Sequence, residues 1–295
     1  MTRQQFPGRI TRIALSSVLP SALLVLFVLA LALSPLKAQT STTPPPFNGI
    51  AHIAIRVHSL DASRDFYKKL GFDEAFALSR NGAVYQSFIK INDHQFIEIY
   101  PATEKNPDLG FLHLCFEGTD LQAVYDDYIA RGVTPNFKIR KAGAGNLLFT
   151  LKGPMQATGP QNIEYTQYMP GSRHYSDRGQ HLGADRVGTK LVAVTLAMQD
   201  PAAARSFYID RLQFTPDAHH PMVLNLPGTS GEMVVIVPVA SLGSKSRITL
   251  ATDSLGRSAK LLKQAHVPFR KSKKSLTVTD PDGNLIVIEA RSARP

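Results

Sequence analysis

The chain has 295 residues, 43% of them hydrophobic, which suits two domains of ordinary size with a sizeable core. Its single cysteine, Cys115, excludes an intramolecular disulfide framework. The net charge of +10 points first to nucleic acid. However, Arg3, Arg9, Arg12 and Lys37 all fall in the first 38 residues, which contain no acid. The densest remaining cluster, Arg270, Lys271, Lys273 and Lys274, has no interleaved aromatics to stack on bases and reads as a solvated loop, so no nucleic acid is expected.

Residues 13–36 are uncharged and mostly apolar, behind three arginines, the pattern of a secretory signal. Ala38 offers a small residue for cleavage, but Leu36 does not fit, and the run is long enough to span a bilayer as an uncleaved anchor. Residues 1–38 are thus a signal peptide or a membrane tether. Either way the remainder is expected outside the cytoplasm, exported to periplasm or medium or anchored there. Residues 39–48, with Pro44-Pro45-Pro46, read as an extended spacer.

From Ile50 a unit of about fifty residues appears four times. Ile50 to Val57 alternates as a strand, and Leu60-Asp61 opens a helix with Ala62, Phe66 and Leu70 as its apolar stripe. Gly71 ends that helix. Strand-like runs follow around Phe76, from Ala83 to Ile91 and from Gln95 to Tyr100. The second unit repeats the order: a strand from Phe111 to Phe116, then a helix capped by Thr119-Asp120. That helix shows Leu121, Val124, Tyr125, Tyr128 and Ile129 on one face. Strands near Phe137, Leu147 to Leu151 and Asn162 to Tyr168 complete it. After a Gly, Pro, Arg and His-rich connector (169–188), Ala202 to Phe214 echoes Asp61 to Phe72, and a fourth unit runs from Arg247 to Ala290. One unit cannot bury both its helix and its sheet face, so units should pair, giving domains at 49–168 and 189–291.

Four tandem βαβββ modules, an α+β architecture with curved mixed sheets, resemble the vicinal oxygen chelate superfamily. That group includes glyoxalase I, extradiol dioxygenases, fosfomycin-resistance enzymes and bleomycin-binding proteins. The likeness spans Ile50 to Ala290.

Within the first pair, each opening strand carries a histidine and each closing strand a glutamate. His52 and His113 are 61 residues apart, and Glu98 and Glu164 are 66 apart, as a duplication predicts. Strand parity sets His52, Ala54 and Arg56 opposite Ile53, Ile55 and Val57, while Glu98 and Glu164 sit among isoleucines. A carboxylate in such a setting is costly to bury unless a cation compensates it. The resemblance implies that His52, Glu98, His113 and Glu164 are ligands of one divalent metal. Zn, Ni, Co, Mn and Fe(II) all suit two imidazoles and two carboxylates.

The resemblance further implies a substrate that chelates through adjacent oxygens, with Glu98 or Glu164 as general base. Cys115 shares parity with His113, and Arg56, Tyr100 and Tyr168 share it with other ligands. They are candidates for substrate contact, though each also suits packing or solvation. In the second pair Ala193 stands opposite His52, Val235 opposite Glu98, Arg247 or Thr249 opposite His113, and Val287 opposite Glu164. No metal of this kind is expected there.

The expected function is therefore a metal-dependent lyase, isomerase or dioxygenase acting on a small molecule, with a non-catalytic binding protein as the alternative. Glyoxalase I shares the two-His, two-Glu set, but its glutathione pool is cytosolic. Extradiol dioxygenases carry iron on two His and one Glu in their second domain, and this chain departs from both features.

Overall fold

In the computed structural model of the protein, residues 47–291 are described, apart from 229. The signal or anchor segment and all but the last two spacer residues lie outside them. No helix of the described residues is long and apolar enough to cross a membrane.

Each module opens with a long strand whose two faces differ in kind. In β1 (Phe47–Val57), Ile53, Ile55 and Val57 enter the main hydrophobic core, while His52, Ala54 and Arg56 take the opposite face. The strand begins at Phe47, inside the stretch read as spacer. A ten-residue helix follows, α1 (Leu60–Lys69), capped by Ser59, whose Oγ accepts from the Ala62 amide at 3.3 Å. The strands β2 (Glu74–Arg80), β3 (Ala83–Lys90) and β4 (Phe96–Pro101) complete the module.

The second module holds β5 (Gly110–Gly118), α2 (Leu121–Ala130), β6 (Arg140–Lys141), β7 (Leu147–Gln156) and β8 (Gly159–Gln167). A one-turn helix, α3 (Arg173–Ser176), lies in the connector. The third module has β9 (Lys190–Met198), α4 (Pro201–Asp210), β10 (Thr215–Pro216), β11 (Val223–Asn225) and β12 (Met233–Pro238). The fourth has β13 (Arg247–Thr252), α5 (Leu255–Gln264), β14 (Arg270–Lys271), β15 (Ser275–Thr279) and β16 (Leu285–Ala290).

Two eight-stranded mixed sheets result, ordered β2-β3-β4-β1-β5-β8-β7-β6 and β10-β11-β12-β9-β13-β16-β15-β14. The second order is the first shifted by eight, which is the duplication seen as topology. Modules one and two share the first sheet through the antiparallel β1–β5 pair, and modules three and four share the second through β9–β13.

Three local expectations are corrected. Helix α1 is rotated from the stripe expected: Ala62 is exposed, while Ser63, Tyr67 and Leu70 are buried. Tyr67 carries far more apolar surface than Ala62, and its hydroxyl reaches Asp280 Oδ2 at 3.3 Å, so the ring can go inside with its polar end satisfied. In α2, Ile129 is likewise left outside, at 48% exposure. The strand expected near Phe137 forms instead as the two-residue β6.

The helix faces lie in one hydrophobic cluster with residues of both sheets. Tyr67 of the first module bonds the turn of the fourth, and Tyr208 of the third donates to Gln161 Oε1 of the second at 3.0 Å. Sheets therefore pair neighbouring modules, while buried tyrosines tie the two sheets together.

Candidate metal centre

The site is a small lattice on the free face of the first sheet. Neighbouring strands place Phe96, His52, Cys115 and Glu164 side by side in one row across β4, β1, β5 and β8. The next row, two residues along, is Glu98, Ala54, His113 and Asn162. Paired strands lie about 4.8 Å apart, so long side chains from both rows can lean over a common point.

They meet around His52, whose Nε2 is 3.1 Å from His113 Nε2, 3.3 Å from Glu98 Oε1 and 3.6 Å from Glu164 Oε1. His113 Nε2 is 3.7 Å from Glu98 Oε2. Donors sharing one cation at bonds of about 2.1 Å lie about 3.0–3.4 Å apart, close to these spacings. Among the described residues, two three-donor groups could hold a metal ion, His52 with Glu98 and His113, and His52 with Cys115 and Glu164.

Both histidines and Glu98 are buried, and Glu164 nearly so. Glu98 Oε2 accepts from Gln86 Nε2 at 2.8 Å and from the Tyr100 hydroxyl at 3.0 Å, which fixes that carboxylate. Glu164 Oε1 accepts from the weak Cys115 thiol at 3.5 Å and otherwise faces the His52 ring at 3.6 Å. Burial, and then the charge of Glu164, hold Glu98 well above the usual carboxylate range. Burial alone lifts Glu164 to about 7, against the pull of Cys115 and Arg140. Burial pushes His113 down to about 4, and burial with His113 and His174 pushes His52 down strongly. The protein thus gathers neutral imidazoles and reluctant carboxylates, a set that gains from a positive charge at its centre.

A cavity of about 260 Å³ opens beside the carboxylates, with Phe88, Glu98, Tyr100, Arg140, Glu164 and His174 among its lining residues. Of the residues expected to meet substrate, Tyr100 lines it. Cys115 is fully buried between His52 and Glu164. Tyr168 stacks on His174 with ring centroids 4.3 Å apart and does not line the cavity. Arg56 does not line it either, and donates to the Asp108 carbonyl at 3.2 Å.

Gln86 escaped the sequence reading, and His174 was read there only as part of a connecting loop or lid. Gln86 shares the cavity face of β3 with Phe88, a period-two signal that parity alone could have caught. His174, in the connector, is buried against Phe76, Phe88, Phe96 and Tyr168, and neither ring nitrogen has a hydrogen-bond partner. No strand or helix period marks it. Its turn is held by Lys90, a buried lysine on Asp177 Oδ2 at 2.7 Å and Asp93 Oδ1 at 2.8 Å.

In the second sheet, Thr195 pairs with Val235 and Arg247 as Ala54 pairs with Glu98 and His113. The register therefore decides for Arg247 over Thr249. The four positions there are Ala193, Val235, Arg247 and Val287, with no carboxylate or imidazole among them.

Residues 49–160 match the model of the Glyoxalase/Bleomycin resistance protein/Dioxygenase superfamily. Among solved structures, the chain is similar to the Mn(II)-bound glyoxalase from Novosphingobium aromaticivorans, at 14% identity and TM-score 0.61, over 83% of this chain and 82% of that one. It is similar to the 2,3-dioxygenase LapB from Pseudomonas sp. KL28, at 17% identity and TM-score 0.59, over 85% and 94%. An extradiol ring-cleaving dioxygenase from B. fuscum matches at 16% identity and TM-score 0.60, over 85% and 74%. At these identities the likeness is one of fold. No curated protein matches the chain.

Proposed function

With residues 49–160 belonging to the glyoxalase, bleomycin resistance protein and dioxygenase superfamily, we propose that this chain is a metal-dependent enzyme. It acts on a small molecule that binds through two neighbouring oxygens. The observation that supports the reading is that His113, Glu98 and Glu164, each from a different strand, all bring a donor atom within 3.6 Å of His52 Nε2. His52, Glu98 and His113 would hold a divalent cation, with Glu164 as an exchangeable fourth donor beside His52, and such a cation would supply Lewis acidity to the substrate oxygens.

The rest of the work falls to the chain. His52 and His113 are already neutral and need lose no proton to bind a metal. Gln86 and Tyr100 hold Glu98 in a fixed orientation. Glu164 is less restrained than Glu98, which suits it to take a proton from substrate as general base. Phe88 and Leu78 supply apolar wall to the cavity beside it. The basic, apolar N-terminal segment supports an exported or membrane-tethered enzyme, with no nucleic-acid partner.

Elemental analysis of the purified protein beside His52→Ala tests the centre. The expected result is about one metal per chain in the parent and little in the variant, and equal contents would sink the assignment. Electron paramagnetic resonance of the Mn(II)-loaded protein then tests the substrate class. Acetohydroxamate, which offers two adjacent oxygens, should change the spectrum, and phenol should not.

A further inference from the structure

A cation held between His52 and Glu164 must sit above the strand that separates theirs, because β1 and β8 are not neighbours. The residue of that strand in the same row is Cys115, paired with His52 on one side and Glu164 on the other. The corresponding residue beneath a cation held by Glu98 and His113 is Ala54. One of the two floor positions thus offers a methyl group and the other a sulfur atom.

Cys115 Sγ lies 3.5 Å from Glu164 Oε1, and within 4.8 Å of both that carboxylate and a His52 ring nitrogen. We propose, building on the metal reading above, that Cys115 is a further ligand recruited by thiophilic cations. The one centre then has two overlapping donor sets that share His52. A hard ion such as Mn(II) takes His52, Glu98 and His113, and a soft ion such as Cd(II) or Zn(II) takes His52, Cys115 and Glu164. As the sulfur–metal bond forms, the S–H proton leaves to solvent by way of the Glu164 carboxylate that it faces. Metal identity would then decide which carboxylate stays free beside the cavity, Glu164 with manganese or Glu98 with a soft ion.

The test titrates Cd(II) and Mn(II) into the metal-free protein and its Cys115→Ser and Cys115→Ala variants. The parent should show the ultraviolet charge-transfer absorption of a cadmium–thiolate bond, and both variants should lack it. Cd(II) affinity should fall about tenfold or more in the variants, which is about 1.4 kcal/mol. Mn(II) affinity should stay within about twofold, which also shows that the variants fold. A parent that binds Cd(II) without the absorption, or variants that bind it as tightly, would overturn the proposal while leaving the metal centre standing. Loss of Mn(II) from both variants would mean that the sulfur acts through packing, and overturns it too. A parent that takes neither ion defeats the metal reading itself.

Discussion

Glu98 and Glu164 are the same residue type at duplicated positions, yet their surroundings set them apart. Glu98 is clamped by Gln86 and Tyr100, whereas Glu164 has a thiol as its hydrogen-bond donor and the His52 ring beside it. Replacing Gln86 by Leu keeps the bulk but removes one clamp, so Mn(II) affinity should fall about 10–100-fold in a direct titration. An unchanged affinity would show that Tyr100 alone orients the carboxylate.

Glu164 also predicts a pH dependence. Its value of about 7 in the folded protein stands above the unfolded value of about 4.3. Its contribution is therefore complete below the unfolded value and is lost as pH rises through 7. His113 runs the other way: with a folded value of about 4 against about 6.5 unfolded, its contribution is present above 6.5 and lost as pH falls through 4. Above 6.5 the carboxylate effect is left unopposed by His113. Urea midpoints of the metal-free protein should drop between pH 6.5 and 8, and Glu164→Gln should reduce that drop, the remainder coming from Glu232, which burial also lifts to about 7. A parent curve that rises over this interval would contradict the assignment.

At the scale of elements, strand parity was enough to place the four donors on one face, because a strand's period of two is rigid. What parity could not see was which carboxylate is held, since that depends on β3 lying beside β4. Helix faces were less legible. Two neighbouring stripes of α1 both carry apolar residues, and the choice of Tyr67 rests on Asp280, more than two hundred positions away. The connector was least legible, because its order comes from tertiary partners rather than from periodicity. Lys90 is the chief of these partners. Lys90→Ala would take the ammonium from Asp177 and Asp93, leaving Asp177 with the His181 ring alone, and should cost about 3–5 kcal/mol in urea unfolding. A loss of under about 1 kcal/mol, the range of exposed pairs, would mean that water takes over from the lysine.

For the whole molecule, the four repeats gave the architecture, but not that the two sheets share one core. That sharing follows from helices whose tyrosines bond the opposite sheet, a pairing that no local pattern encodes. The second sheet then has a role independent of metal: it covers the apolar back of the first and frees the other face for chemistry. Its own free face repeats the backbone of the centre almost position for position, with Ala193, Val235, Arg247 and Val287 where the donors would stand. The scaffold has in effect kept a spare socket with its contacts removed. Restoring them through A193H, V235E, R247H and V287E should raise Mn(II) uptake from about one to about two equivalents per chain. If the rebuilt face stays empty, strand geometry alone does not make the site, and the clamps around Glu98 become part of its minimum definition.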